Sequence, residues 1–193
     1  MFKSAMRASL AAGTAILLSG CMTAAGGDGM TNDTVMVGGA EMLPTRTIVE
    51  NASNSADHTT LVAAVKAADL VGALSSPGPL TVFAPTNAAF DLLPAGLVET
   101  ALMPENKELL TNVLTYHVVA GRVTASDLAE LIRQGRGSAD ITTLQGGTLK
   151  ASLSGDQVVL TDANGRTSTV TQADVMQSNG VVHLTNGVFL PQQ

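Results

Sequence analysis

The sequence contains no tryptophan, one tyrosine and four phenylalanines, and it has a single cysteine, Cys21. A lone cysteine excludes an intrachain disulfide and a redox pair of thiols. Charged residues make up 13% of the chain and hydrophobic residues 45%, which excludes disorder along its whole length. Lys and Arg number 10 against 16 Asp and Glu and form no cluster. A nucleic-acid partner is therefore excluded, because binding phosphates requires a basic face.

The N-terminus has the pattern of a secretory signal. Lys3 and Arg7 precede an apolar stretch at residues 8–18, which is shorter than the roughly 20 residues that span a bilayer. The stretch ends in LSGC at residues 18–21, which resembles the lipobox of bacterial lipoproteins. We therefore expect residues 1–20 to be removed as a lipoprotein signal peptide and Cys21 to carry the lipid that anchors the chain to a membrane.

Beyond Cys21, the sequence predicts a tether followed by one folded domain. Met22 rather than Asp follows the cysteine, which resembles the outer-membrane default of Gram-negative lipoproteins. We expect secretion through the inner membrane and an anchor in the outer membrane, with the chain facing the periplasm or the cell surface. Residues 21–43 are rich in Gly, Thr and Ala without a regular period and predict a flexible tether. The domain is predicted at residues 44–191, with a tail at residues 192–193.

Helical signals dominate the first half of this domain and β signals the second half. Leu61, Val62, Val65 and Ala68 lie near a helical period, and PENKELLTNVLTYH at residues 104–117 is the strongest helix prediction. From Ile141 onward, β-prone runs alternate with glycine turns. Asn-Gly pairs beginning at positions 164, 179 and 186 predict hairpins, because Asn and Gly accept the positive φ of tight turns. Helices first and hairpins last predict an α+β fold.

Three blocks of sequence carry a family resemblance. They are TVFAPTNAAF at residues 81–90, LTYHVVAG at 114–121 and SNGVVHLTNGVFLP at 178–191. In this order they resemble the fasciclin, or FAS1, domain over nearly all of residues 44–191. The resemblance implies a single FAS1 domain: a β-wedge or sandwich of about seven strands flanked by several short α-helices. It also implies a secreted or surface-held protein that works in adhesion or binding rather than catalysis.

The resemblance also implies candidate binding residues. In animal adhesion members of the family, a Tyr-His segment and a Glu-Pro-Asp-Ile-Met segment have been proposed as integrin contacts. The matching positions in this chain are Tyr116 with His117, and Asp174 with Met176, although the Glu and Pro of the second segment are absent. These four residues are the expected contacts to a partner.

Residues that could bind a metal ion or act in catalysis are scattered along the chain. His58, His117 and His183 form no i, i+4 pair and have no cysteine beside them, so we predict no metal site and no cofactor. His117 is expected to be buried and paired with a neighbouring polar group, His183 to lie at the sheet surface or to be hydrogen-bonded, and His58 to be solvated at a helix start. No G-x-S-x-G motif occurs. We therefore predict no catalytic residue and no enzymatic activity.

These observations favour a non-enzymatic, lipid-anchored envelope or surface module that binds a protein or glycan partner, in cell adhesion or envelope association. An alternative is a periplasmic carrier of a small apolar ligand, because an apolar chain with only 3% aromatic residues has room for cavities. An enzyme is the least favoured class. It would require a pocket that gathers ionisable groups with shifted pKa values.

Overall fold

The computed structural model describes residues 34–94 and 96–192. Cys21, the predicted signal peptide and residues 21–33 of the predicted tether lie outside the described residues. Within these ranges the fold is α+β, with a seven-stranded sheet and several short helices. The predicted fold class is therefore confirmed.

Helices and strands follow one another along the chain with short connections. The α-helices are α1 (Ile48–Asn54), α2 (Thr59–Ala67), α3 (Val71–Ser75), α4 (Asn87–Asp91), α5 (Leu97–Leu102), α6 (Lys107–Tyr116) and α7 (Ala125–Gln134). The strands are β1 (Val35–Val37), β2 (Ala40–Met42), β3 (Leu80–Pro85), β4 (Val118–Ala120), β5 (Ser138–Thr142), β6 (Thr148–Ser154), β7 (Gln157–Thr161), β8 (Thr167–Gln177) and β9 (Gly180–Thr185).

The seven-stranded sheet has the strand order β4-β3-β9-β8-β7-β6-β5. Its neighbouring strands are antiparallel except for β3 and β9, which are parallel. β3 lies between two apolar clusters: Val82 and Ala84 belong to one, and Phe83 belongs to the other. A strand covered on both faces needs a continuous apolar run, which residues 82–85 supply.

The helix predicted at residues 104–117 is present. A 3-10 turn at Pro104–Asn106 leads into α6, and Leu110 and Leu114 lie buried on one face of that helix. Their i, i+4 spacing is the one that places two side chains on the same face. Among the helices of the described ranges, none has both the length and the apolar character needed to cross a bilayer.

Two of the three predicted Asn-Gly hairpins are present. The pair at 164 lies between β7 and β8, where Gly165 has a φ of 79°. Asn179 lies in the turn between β8 and β9, but Gly180 is the first residue of β9 and neither residue has a positive φ. The hairpin predicted at Asn186 is wrong, because no further strand follows β9 in the described chain. The Asn186 Oδ1 atom accepts a 2.8 Å hydrogen bond from the Thr169 N–H instead. This contact ties the end of β9 back to β8.

The predicted tether is corrected for residues 35–42. β1 and β2 pair there as an antiparallel hairpin whose turn uses Gly38 and Gly39 at positive φ. Val37 and Met42 are buried in the first apolar cluster. The glycines that suggested flexibility serve as turn residues here, and the ordered chain begins before the predicted boundary at residue 44.

Candidate functional site

An apolar groove lies between helices α4, α5 and α6 and the residues that follow β9. Its volume is about 400 Å³, within the range of roughly 300–1,000 Å³ typical of small-molecule pockets. Most of the lining is apolar: Phe90, Leu93, Leu97, Val98, Ala101, Leu109, Leu110, Val113, Val188, Leu190 and Pro191. Asn164, Arg166 and Gln192 are the polar residues of the lining.

Helix α5 forms one wall of this groove, and our sequence reasoning missed it. Leu97, Val98 and Ala101 line the groove, yet no residue of α5 is buried. The signal was available, because Leu97, Val98, Ala101 and Leu102 recur at helical spacing just after Pro94. A helix with this many apolar residues and no buried one leaves part of its apolar surface available for binding.

The opposite wall is formed by residues 188–192, here called the C-terminal segment. The buried carboxylate of Asp162 holds the C-terminal segment in place, because Oδ2 accepts a 3.1 Å hydrogen bond from the Leu190 N–H. Asn164 adds a second link, since its Nδ2 atom donates to the Leu190 carbonyl at 2.8 Å. The β7–β8 turn therefore holds the C-terminal segment in place.

Tyr116 supports the same turn from the end of α6. Its hydroxyl donates to the Thr148 carbonyl at 2.7 Å and accepts from the Ala163 N–H at 3.2 Å. The side chain is 1% exposed, and burial raises the pKa of the phenol. Tyr116 thus connects α6 to the turn that carries Asp162 and Asn164.

His117 joins α6 directly to the C-terminal segment. Nδ1 donates to the Val113 carbonyl at 2.8 Å, and Nε2 accepts from the Phe189 N–H at 3.0 Å. A carbonyl only accepts and a backbone N–H only donates, so these partners require the neutral imidazole with its proton on Nδ1. Burial lowers the pKa of His117 from 6.5 to about 4, against smaller opposing effects of the Val113 hydrogen bond and the Asp162 charge.

The burial of these two residues changes the role predicted for them. Tyr116 is 1% and His117 3% exposed, so neither side chain offers an extended surface to a partner, although Tyr116 contributes to the lining of a polar cavity. Both are engaged with backbone groups of the turn and the C-terminal segment. The expectation that His117 is buried and hydrogen-bonded is confirmed. The Tyr-His pair positions the walls of the groove.

Asp174 and Met176, the other two predicted contacts, lie on β8. The Asp174 Oδ1 atom accepts a 2.8 Å hydrogen bond from the N–H of Ala125, the first residue of α7. Its backbone has a φ of 58°, in the left-handed region that Asp tolerates better than most residues. Asp174 is half-buried, and Met176 is 37% exposed. Met176 is therefore the one predicted contact whose side chain is clearly at the surface.

His183 lies next to Asp174 and is also held by backbone groups. Its Nε2 atom donates to the Val123 carbonyl at 2.8 Å, while Nδ1 accepts from the Asp174 N–H at 3.3 Å. Burial lowers the pKa of His183, against the opposing effects of the Val123 hydrogen bond and the Asp174 charge. Of the two roles expected for this histidine, at the sheet surface or hydrogen-bonded, the structure shows the hydrogen-bonded one with a fully buried side chain.

The expectation that His58 is solvated is wrong. Its side chain is buried, Nδ1 lies 2.9 Å from the Ser55 hydroxyl, and Nε2 has no hydrogen-bond partner within residues 34–94 and 96–192. The residues before α2 form a 3-10 turn that contacts the β1–β2 turn, where the Ala56 N–H donates to the Gly38 carbonyl. Burial lowers the pKa of His58.

A second, polar cavity of about 620 Å³ lies beside the apolar groove and shares Gln192 with it. Its lining includes Asp140, Lys150 and Asp162. Across the described ranges, no group of three or more His, Cys, Asp or Glu side chains is placed to hold a metal ion. The arrangement offers apolar and hydrogen-bonding surface, and its histidines are engaged in holding the fold together.

Comparisons with known proteins agree with the geometry. Residues 56–191 match the family model of the Fasciclin domain. The chain is 49% identical over 145 residues to Protein sll1483 of Synechocystis, covering 75% of this chain and 73% of that protein. It is 34% identical over 148 residues to the pig Transforming growth factor-beta-induced protein ig-h3, covering 77% of this chain and 20% of that protein.

The fold also has a counterpart among solved structures. A FAS1 domain pair from the insect cell adhesion molecule Fasciclin I superposes with a TM-score of 0.67 at 17% sequence identity. The superposition covers 77% of this chain and 52% of that one. At this level of identity the likeness establishes the fold.

Proposed function

Because the chain belongs to the fasciclin family, we propose that it is a non-catalytic binding module of the cell envelope. The observation that carries this proposal is the contrast between its histidines and its groove. His117 and His183 have both ring nitrogens engaged by backbone groups, so neither is free to act as a base on a substrate. The groove beside His117 is lined mainly by apolar side chains. Such side chains can bind a ligand, but they cannot act as an acid, a base or a nucleophile.

We further propose that a lipid on Cys21 holds the module on the outer membrane. The supporting observation is the sequence LSGC at residues 18–21, which directly follows an apolar stretch of signal-peptide length. Residues 21–34 then connect the anchor to β1, the first described strand.

The first candidate partner is a protein or glycan of the envelope, bound in adhesion or envelope association. Support comes from the family and from the structural likeness to an insect cell adhesion molecule. The exposed Met176 side chain and the polar cavity around Asp140 and Lys150 offer apolar and hydrogen-bonding contacts for such a partner. Deleting the gene tests this proposal. It predicts weaker attachment or loss of an envelope component, restored by the wild-type chain; unchanged attachment and envelope composition would refute it.

The second candidate function is a carrier of a small apolar ligand, and the groove is the observation that favours it. Its volume of about 400 Å³ and its apolar walls suit a small organic molecule. Native mass spectrometry of the protein isolated from its own cells is the test. The carrier function predicts a co-purifying small molecule that is missing from Ala101→Trp, which fills the groove. A wild-type protein free of any small molecule would count against it.

A further inference from the structure

We propose that the groove binds a linear long-chain carboxylic acid, with its carboxylate at Arg166 and its alkyl chain between α5 and α6. This inference rests on the carrier function proposed above and names the ligand class of the same site. The chemistry is that of a free fatty acid, which combines an extended aliphatic chain with one anionic end. Three features of the groove support this class.

The first feature is the aliphatic character of the walls. Among the described residues of the lining, Phe90 is the single aromatic, whereas leucine, valine, alanine and proline make up the rest of its apolar part. Flat ring systems are usually recognised by stacking on aromatic side chains, which this lining does not supply. Burial of methylene groups against aliphatic walls needs no such geometry, and each buried group adds to the affinity.

The second feature is the charge at the groove. Arg166 is exposed, lines the groove, and forms no ion pair with another described residue. None of the described lining residues is a carboxylate. The guanidinium group binds a carboxylate through two parallel hydrogen bonds. Asn164 and Gln192 bring amide groups to the same lining.

The neighbouring carboxylate, that of Asp162, is already hydrogen-bonded to backbone N–H groups. Asp162 Oδ1 accepts hydrogen bonds from the N–H groups of Asn164 and Arg166, both at 2.9 Å, and Oδ2 accepts from Leu190 at 3.1 Å. Its carboxylate therefore satisfies the backbone of the turn, while the Arg166 side chain extends from a backbone fixed on that turn. The net charge of −6 repels anions from the chain as a whole. The cation at this apolar opening favours an anion locally.

The test compares an acid with its neutral ester on the full chain carrying Cys21→Ala, so that no attached acyl chain competes. The probes are cis-parinaric acid, a linear fluorescent fatty acid, and its methyl ester. We expect the acid to bind at least about tenfold more tightly than the ester, which corresponds to one charge-assisted hydrogen-bonded contact. Arg166→Gln should remove this preference and Arg166→Lys should restore part of it. Arg122→Gln, which removes an exposed arginine outside the groove, should leave it unchanged.

The outcomes separate this inference from the carrier function. If acid and ester bind equally well and Arg166→Gln changes neither, the acid preference is overturned while an apolar carrier remains. If neither probe binds, both proposals fail. Ala101→Trp should abolish binding of both probes, and unchanged binding in that variant would place the acid elsewhere and overturn the assignment. A wild-type chain that dimerises, with Ala101→Trp monomeric, would make a second copy the occupant and overturn it as well.

Discussion

The imidazole of His117 accepts a 3.0 Å hydrogen bond at Nε2 from the backbone N–H of Phe189. Through Nδ1 the same ring donates to the carbonyl of Val113, which lines the groove from α6. One buried side chain therefore connects the helical wall of the groove to its C-terminal wall. The connection holds only while the ring is neutral, since a proton on Nε2 would face the Phe189 N–H.

This arrangement predicts a loss of stability on mild acidification. In the unfolded chain His117 takes up a proton as the pH falls through about 6.5, whereas in the folded chain burial delays protonation to about pH 4. Between these values the unfolded state binds more protons, so the free energy of unfolding falls as the pH falls and levels off below about 4. The full difference amounts to about 3 kcal/mol for this one residue. Urea unfolding at a series of pH values measures it.

His117→Gln is the matched variant for that experiment. Glutamine can still donate and accept a hydrogen bond but does not titrate, while His58 and His183 titrate in both proteins. We expect the variant to be less stable at pH 7 and to lose less stability than the wild type between pH 6.5 and 4. Equal pH dependence in the two proteins would mean that His117 does not stay neutral in the fold.

Tyr116→Phe should destabilise the fold by about 1–3 kcal/mol, because it leaves the Thr148 carbonyl and the Ala163 N–H without their partner. Ser152→Ala is the control, since that hydroxyl makes only a long contact of 3.4 Å to the Val159 carbonyl. We expect its effect to stay within about 0.5 kcal/mol. Denaturant midpoints followed by circular dichroism measure both, and equal effects of the two variants would argue against the role given to Tyr116.

Asp174 and Met176 should separate stability from binding. Asp174→Asn retains a residue that tolerates positive φ but removes the charge that caps α7 at Ala125. We expect the free energy of unfolding to fall by about 0.5–1 kcal/mol, together with faster hydrogen exchange in α7.

Met176→Ala should leave the unfolding free energy within about 0.5 kcal/mol of the wild type and weaken partner binding. If Met176→Ala binds the envelope partner as the wild type does, Met176 is not a partner contact.

Cys21→Ala tests the proposed anchor. Without the thiol no acyl chains can be attached, so we expect the protein to leave the membrane fraction or to remain unprocessed. Cell fractionation and the mass of the mature chain report the result. Membrane retention equal to that of the wild type would refute lipidation, whatever the fate of the remaining predictions.

The sequence predicts the core of this fold well because its strongest signals are local. Val82 and Ala84 share one apolar cluster on β3, and Leu110 with Leu114 marks the buried face of α6. Spacing along the chain is sufficient for such inferences, since it determines which side chains share a face. The Asn164-Gly165 pair likewise identifies a turn from its own conformational preference, since Gly165 has a positive φ.

The site was harder to predict because it depends on contacts between distant positions. His117 meets Phe189 across 72 positions of sequence, and Tyr116 meets Ala163 across 47. No periodicity reports such pairs. The family resemblance implies partner contacts at the Tyr-His pair, whereas the contacts of Tyr116 and His117 with the β7–β8 turn and the C-terminal segment emerge only from the fold. The Asn186 prediction failed for a similar reason: its Asn-Gly pair ends a strand, and only the partner at Thr169 explains it.

Photo-crosslinking in intact cells tests most directly whether this domain works by binding. A photoreactive amino acid is placed at Gln192 in the groove lining, at Met176 on β8, or at Asp156 in the exposed β6–β7 turn as the control position. A binding module predicts a discrete crosslinked product from position 192 or 176 that is absent from position 156. No product at either position, or the same products from all three, would contradict the proposal that this domain works by binding.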